Sequence, residues 1–237
     1  MAELHKILAN IKTALESRAE ERRNSHPEPD LVPEAPAAHR TELASRFGRE
    51  LEAVGGKFLG IFSPAGALAR IVALTREIGA STAAIGDGVV SDVRSIAAAI
   101  ESANIRLIRT ESPRDEQERL LTRERLARCD LGIAEAHFAI ASTGTLAVVT
   151  TEHRPSSLTL LPPASLIIIR IDRIMADLAA VLEALGPEVI GRDRLSLITG
   201  PSRTADIEKR IVLGVHGPKA LYALVIWPEN DREPAAR

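Results

Sequence analysis

The chain has very little cysteine and very few aromatic residues. Only 3% of its 237 residues are aromatic, and Cys129 is the single cysteine. A lone thiol forms no disulfide within the chain, and an iron–sulfur cluster normally needs about four thiolates. Proteins that hold single-stranded nucleic acid commonly stack its bases on aromatic side chains. The sequence therefore argues against such a platform and against a cluster carried by this chain alone.

Strong charge of one sign and long apolar runs are also lacking. Lys and Arg number 30 against 32 Asp and Glu, which gives a net charge of −2 and argues against a nucleic-acid partner. No apolar run reaches the roughly 20 residues of a membrane span. His5, Lys6 and Lys12 stand where a signal peptide would have its apolar core. We expect a cytoplasmic protein that does not span a membrane.

Alternating apolar runs and amphipathic stretches predict an α/β fold with a mostly parallel sheet flanked by helices. The run at 165–169 is continuous and predicts a buried central strand, and the short runs between 131 and 150 favour hairpin-like or mixed strands. The predicted strands are 58–62, 81–85, 105–108, 131–134, 138–141, 145–150, 165–169, 195–198 and 221–226. The predicted helices are 41–54, 65–78, 92–102, 115–128 and 174–185.

The N-terminal region differs from the rest of the chain. Residues 3–17 carry apolar side chains at helical spacing, and residues 19–36 are charged and rich in proline. We interpret residues 1–39 as an N-terminal helix with a linker and residues 40–237 as the α/β domain. The helix either packs on that domain or forms an arm that docks on a neighbouring subunit or partner.

A polar turn that follows the apolar run at 195–198 is the first candidate site. Its position predicts a strand, a tight turn at Gly200 and then a helix, whose first N–H groups favour an anion. Ser202 and Thr204 would add hydroxyls, and Arg203 could hold a carboxylate or phosphate with two hydrogen bonds. Asp206 lies one helical turn after Arg203, within pairing reach. The alternative is plain capping by Ser202 or Thr204.

A second turn, Gly214-Val-His-Gly-Pro218, contains a residue that titrates near neutral pH. His216 could act as a general acid or base, and Gly217 beside it would let the backbone approach a ligand. The alternative is a structural or solvated histidine, with Gly214 as a helix stop.

A third turn and a carboxylate complete the candidates. Thr143, Gly144 and Thr145 lie between two apolar runs, and Gly144 permits a positive φ at a turn whose hydroxyls face a ligand. Glu135 lies between apolar strands, where a carboxylate is costly to bury unless it is paired. It is therefore either exposed to solvent or part of a site. The histidines lack metal-ligand spacing, so we expect no metal site.

Four segments together resemble the LUD-domain family and, within it, the lactate-utilisation protein C branch. The resemblance covers about residues 40–227, and the last two segments are the most specific. The segments are Asp130 to Leu146, Leu160-Leu-Pro-Pro163, Gly200-Pro-Ser-Arg-Thr-Ala-Asp-Ile-Glu208 and Gly214-Val-His-Gly-Pro218.

The resemblance implies a fold similar to the sugar-phosphate isomerase and CoA-transferase group. It also implies a subunit of a lactate-utilisation system that oxidises L-lactate to pyruvate, in which cysteine-rich partner subunits carry the iron–sulfur clusters and this chain carries no cofactor. The substrate would be a small carboxylate or another anion. Two alternatives stay open: a stand-alone isomerase or acyl/CoA-transferase-like enzyme, and a non-catalytic scaffold subunit.

These arguments assign two kinds of role. The candidate catalytic residues are His216, Asp206 and Glu135. The candidate ligand-binding residues are Thr143, Gly144, Thr145, Gly200, Ser202, Arg203, Thr204 and Gly217.

Overall fold

Strands and helices alternate along the first half of the domain, and a second group of strands follows. The computed structural model describes residues 36–86, 93–110, 115–150, 155–192, 194–205, 211–213 and 217–227, and for 93, 187–192, 204–205 and 211–213 it describes the backbone alone. The first elements are α1 (Ala37–Ala53), β1 (Lys57–Phe62), α2 (Pro64–Glu77), β2 (Thr82–Gly86), α3 (Val93–Ser102), β3 (Arg106–Thr110), α4 (Glu116–Ala127) and β4 (Leu131–Glu135). The later ones are β5 (Phe138–Ile140), β6 (Thr145–Thr150), α5 (Ser157–Leu160), β7 (Ala164–Arg170), a 3-10 turn (Ile171–Arg173), β8 (Ile174–Met175), α6 (Leu178–Arg192), β9 (Arg194–Ile198), β10 (Arg203–Ala205), β11 (Ile211–Leu213) and β12 (Ala220–Ile226).

The main sheet has six strands in the order β1–β12–β7–β4–β2–β3. Every neighbouring pair in it is parallel. β7 lies between β12 and β4, and its residues from Ala164 to Ile169 are buried, as a strand covered on both faces requires. The predicted α/β fold with a buried central strand at 165–169 is confirmed.

A smaller sheet of four strands has the order β8–β5–β6–β9. β5 and β6 form an antiparallel hairpin, β6 pairs antiparallel with β9, and β8 runs parallel to β5. β10 and β11 form a separate antiparallel pair. The expected hairpin at 138–150 is therefore confirmed, whereas the run at 131–134 belongs to β4 in the main sheet.

Both faces of the main sheet are covered, and the small sheet is covered by a helix. Helices α2 and α3 cover one face with Ile71, Leu74, Ile96 and Ile100. The other face packs on α1 and the small sheet through Phe47, Leu51, Leu146 and Val148, and on α4 and α5 through Leu126 and Leu158. The far face of the small sheet packs on α6 through Val181 and Leu185.

Helix boundaries follow residue chemistry. The hydroxyl of Ser63 accepts a hydrogen bond from the N–H of Gly66 at 3.3 Å, and Pro64 is the first residue of α2. Gly79 follows this helix with φ of 64°, the left-handed conformation that ends many helices, and the predicted helix at 65–78 is confirmed.

One predicted helix begins too early. The apolar residues from Ile174 predicted a helix over 174–185, but Ile174–Met175 forms β8 against Ala139 and Ile140, and α6 begins only at Leu178. A short apolar run fits a helix or a buried strand equally well, and pairing with β5 decided between them.

The predicted N-terminal helix and linker lie outside the described residues, apart from the start of α1 at Ala37. Within the described ranges, no helix is both long enough and apolar enough to cross a membrane.

Candidate functional site

The turn between β5 and β6 lies directly against the last turns of α1. Gly144 has φ of 62°, and a Cβ there would overlap the backbone of Glu50 and Leu51. A glycine is therefore required both by the backbone conformation and by the close contact. This contact fixes Thr143 and Thr145 next to the end of α1.

Three threonine hydroxyls form a continuous chain beside this turn. The Oγ1 atoms of Thr143 and Thr145 are 2.7 Å apart, and those of Thr145 and Thr199 are also 2.7 Å apart. Thr145 is 5% exposed, whereas Thr143 and Thr199 are exposed. The chain joins the β5–β6 turn to the residue that follows β9.

Arg203 contacts the end of α1. Its Nη2 donates a hydrogen bond to the carbonyl oxygen of Val54, the residue that caps α1. A Cβ at Gly200 would lie 2.7 Å from that same oxygen, and a Cβ at Gly55 would lie 2.6 Å from Nη2. The positive charge of the Arg203 guanidinium is also attracted to the partial negative charge at the C-terminus of α1. Gly55 thus leaves the space in which the guanidinium lies, and Gly200 leaves the space for the carbonyl group that accepts its hydrogen bond.

The segment after Gly200 also contacts the turn before β12. The N–H of Ser202 donates to the carbonyl oxygen of Pro218 at 2.9 Å. A Cβ at Gly217 would lie 2.9 Å from the Cβ of Ser202. We call the group formed by Thr143–Thr145, Thr199–Arg203 and Gly217–Pro218 around Val54–Gly55 the turn cluster.

The turn cluster does not have the architecture that the sequence predicted. Arg203–Ala205 is strand β10 rather than the start of a helix, so Ser202 is not an N-cap and the argument from helix N–H groups fails for this segment. β9 is a partly exposed edge strand of the small sheet. Gly55 precedes β1 and Gly217 precedes β12, so the turn cluster lies at the amino ends of the parallel strands. Arg203–Ala205 instead pairs antiparallel with β11, which begins only six positions after Ala205.

Glu135 lies apart from the turn cluster. It is 5% exposed and ends β4, whereas Leu131 at the start of β4 is level with Ala164 and Ala220 at the amino edge of the sheet. The four steps from Leu131 to Glu135 along this five-residue strand correspond to about 13 Å. The structure therefore does not bring Glu135 together with the ligand-binding candidates.

Asp206, His216 and the side chain of Thr204 lie outside the described residues. Their roles stay predictions from the sequence.

Sequence reasoning missed Thr199, Val54 and Gly55. Thr199 directly follows the predicted strand at 195–198 and belongs to no motif, and Val54 acts through its backbone oxygen, which no side-chain pattern reveals. In the described ranges, no group of three or more His, Cys, Asp or Glu side chains could hold a metal ion.

Comparison with known families places the chain. The family model of the LUD domain matches residues 44–226, most of the chain. The chain belongs to the LUD domain family. This confirms the resemblance drawn from the four sequence segments.

Individual relatives are similar over shorter stretches. Lactate utilization protein C of Halalkalibacterium halodurans is 34% identical over 115 residues, 46% of this chain and 49% of that protein. Protein YkgG of Escherichia coli K12 is 36% identical over 100 residues, 40% of this chain and 43% of that protein. The chain thus spans less than half the length of these curated relatives.

A solved structure shares the fold. The crystal structure of a DUF162 family protein from Deinococcus radiodurans superposes with a TM-score of 0.55 at 20% identity. The match covers 82% of this chain and 99% of that one.

Proposed function

We propose that this LUD-domain protein is a component of a lactate-utilisation system and that its turn cluster binds a small carboxylate such as L-lactate or pyruvate. Relatives that carry the name lactate utilization protein C support the pathway. The observation that supports the binding role is the convergence of Arg203 and of the glycine turns at Gly55, Gly144 and Gly200 on the end of α1.

Arg203 has the chemistry that a carboxylate needs. Its side chain is exposed, and among the described residues its only hydrogen bond is the one from Nη2 to Val54. The guanidinium therefore has N–H groups left to donate to a ligand. The hydrogen bond to Val54 orients it before the ligand binds. Ordering the donor before binding reduces the entropy lost on binding.

The proposed reaction is the oxidation of L-lactate to pyruvate, which removes an electron pair and its protons. In this proposal the electrons pass to iron–sulfur clusters of partner proteins, and Asp206 and His216 are the candidates for moving protons. Glu135 lies at the carboxyl end of β4, whereas the proposed carboxylate position lies at the amino ends of the parallel strands. It therefore has no role in this proposal.

Arg203→Ala tests the binding role. We expect it to weaken L-lactate or pyruvate binding by about tenfold or more, because hydrogen bonds to a charged group are lost. Arg203→Lys should weaken binding less than Arg203→Ala, since it keeps the charge without the planar fork. Isothermal titration calorimetry measures the affinity, and growth on L-lactate in a strain lacking the gene measures the pathway role.

The matched control is Arg123→Ala, which removes an exposed arginine on α4. Thermal unfolding of all variants measures how much the loss of the hydrogen bond to Val54 lowers the stability of the fold. An effect on affinity can then be distinguished from an effect on stability. Equal affinity in Arg203→Ala and Arg123→Ala would show that Arg203 only holds α1.

A further inference from the structure

Arginine can hold a carboxylate with two parallel hydrogen bonds in two ways, and this protein contains both. Arg70 uses Nη1 and Nη2 to bind the two oxygens of Glu77, at 2.9 and 3.2 Å. Arg170 uses Nε and Nη2 to bind the two oxygens of Asp172, at 3.0 and 2.5 Å. Nη2 takes part in both, because one of its hydrogens is parallel to a hydrogen of Nη1 and the other to that of Nε. A guanidinium therefore has two such forks, and each contains one hydrogen of Nη2.

The hydrogen bond to α1 occupies one of the two forks of Arg203. Nη2 donates to the carbonyl oxygen of Val54, so one of its two hydrogens is used. The other hydrogen, with its neighbour on Nη1 or Nε, forms the remaining fork. Within the described part of the chain, Arg203 has no further hydrogen bond or ion pair, and both Arg203 and Gly55 are exposed. One complete fork is thus open to a ligand.

Gly55 fixes where this guanidinium lies. A Cβ at Gly55 would be 2.6 Å from Nη2 and 3.7 Å from Cζ, so the guanidinium fills the space that a side chain would take. Nη2 is at the far end of a flexible side chain, whereas a Cβ at Gly200 would meet the backbone oxygen of Val54. A methyl group at position 55 would therefore displace the guanidinium and leave the surrounding backbone in place.

We propose that Gly55 is a positioning residue, which together with the carbonyl group of Val54 leaves Arg203 a single fork that holds one ligand carboxylate by two coplanar hydrogen bonds. Gly55 acts through Arg203 and does not touch the ligand. The fork consists of two donors and no acceptor. It therefore selects an ionised carboxylate over the neutral amide of the same shape, whose NH₂ group would face one of the donors. This inference rests on the proposed function of the turn cluster.

Gly55→Ala and Gly79→Ala form a matched pair for the test. Both glycines follow a helix and have a positive φ, 86° and 64°, but only at Gly55 does the Cβ position meet another group. We expect Gly55→Ala to weaken L-lactate and pyruvate binding about tenfold, the size of one lost hydrogen bond to a charged group, and Gly79→Ala to stay within about twofold. Titration calorimetry measures the affinities, and thermal unfolding measures the loss of stability in both variants.

The preference for L-lactate over lactamide distinguishes a positioning role from a structural one. The unaltered protein should bind L-lactate about tenfold or more tightly than lactamide, and Gly55→Ala should reduce this ratio, because a displaced guanidinium makes one hydrogen bond instead of two. Adding Gly55→Ala to Arg203→Lys should weaken binding no further than Arg203→Lys alone, because lysine has no fork to displace.

Three results overturn this inference while the binding role tested by Arg203→Ala still stands: equal L-lactate affinity in Gly55→Ala and Gly79→Ala, an unchanged ratio of L-lactate to lactamide affinity in Gly55→Ala, or fully additive effects of Gly55→Ala and Arg203→Lys. Absence of any carboxylate binding by the unaltered protein overturns the proposed binding role and this inference together.

Discussion

Asp130 shows at the scale of one residue how a short side chain joins two strands. Its Oδ2 accepts hydrogen bonds from the N–H and hydroxyl groups of both Ser81 and Thr82, at 2.8–2.9 Å. Desolvation raises the pKa of Asp130, but the bonds from Thr82 and Ser81 outweigh it, so the pKa lies below its ordinary value. The ionised carboxylate therefore stabilises the start of β2 against the start of β4.

Asp130→Asn is expected to lower the free energy of unfolding at pH 7 by about 1–3 kcal/mol, because an amide accepts these bonds less strongly. A lowered pKa contributes stability that is present above the unfolded pKa of about 3.9 and is lost as pH falls through the folded pKa. The difference between the unaltered protein and the variant should therefore shrink below about pH 4. Urea unfolding from pH 7 to pH 3 measures it.

Glu124→Gln is the control for Asp130→Asn, since it neutralises an exposed carboxylate on α4. A difference between the Asp130 variant and the unaltered protein that stays constant across this pH range would contradict the assignment of stability to the ionised form.

At the scale of elements, the β5–β6 turn and α1 form one unit through Gly144. Gly144→Ala is expected to cost about 3 kcal/mol or more, because the new methyl group overlaps the α1 backbone and φ is positive. Gly79→Ala should cost only about 1 kcal/mol, because Gly79 has a similar φ of 64° but open space around its Cβ position. Chemical unfolding measures both variants. Equal losses would mean that the contact with α1 contributes nothing.

At the scale of the whole molecule, Cys129 reports on the packing between α4 and the main sheet. Its side chain is 2% exposed in a cluster with Ala84, Leu126 and Leu158. Desolvation and the charge of Asp130 raise the pKa of the thiol, and Arg106 opposes them. The thiol is therefore both covered and protonated at neutral pH.

We expect alkylation of Cys129 by iodoacetamide at pH 7.5 to be slower than that of a free thiol by several orders of magnitude in the folded protein and to follow unfolding as urea is added. Mass spectrometry gives a direct count, because the chain has one cysteine. The same chain fully unfolded in urea is the control. Rapid labelling without denaturant would mean that α4 opens independently of the rest.

Local sequence pattern determined most of the elements and the layer architecture. Apolar runs and amphipathic stretches predicted the buried strand β7, the hairpin β5–β6 and helix α2, because burial acts on the periodicity of neighbouring residues. The family, too, was recognisable from sequence segments that the match to residues 44–226 confirmed.

Only the tertiary structure decided which polar residues meet. It made Arg203 part of a strand, joined Thr199 to Thr145, directed Arg203 to the carbonyl of Val54 and left Glu135 at the opposite edge of the sheet. Thr199 meets Thr145 across 54 residues and Arg203 meets Val54 across 149, whereas β10 pairs with β11 only a few residues further on. Local patterns contain no record of such partners, because the physical interactions exist only after the sheets and α1 have packed together.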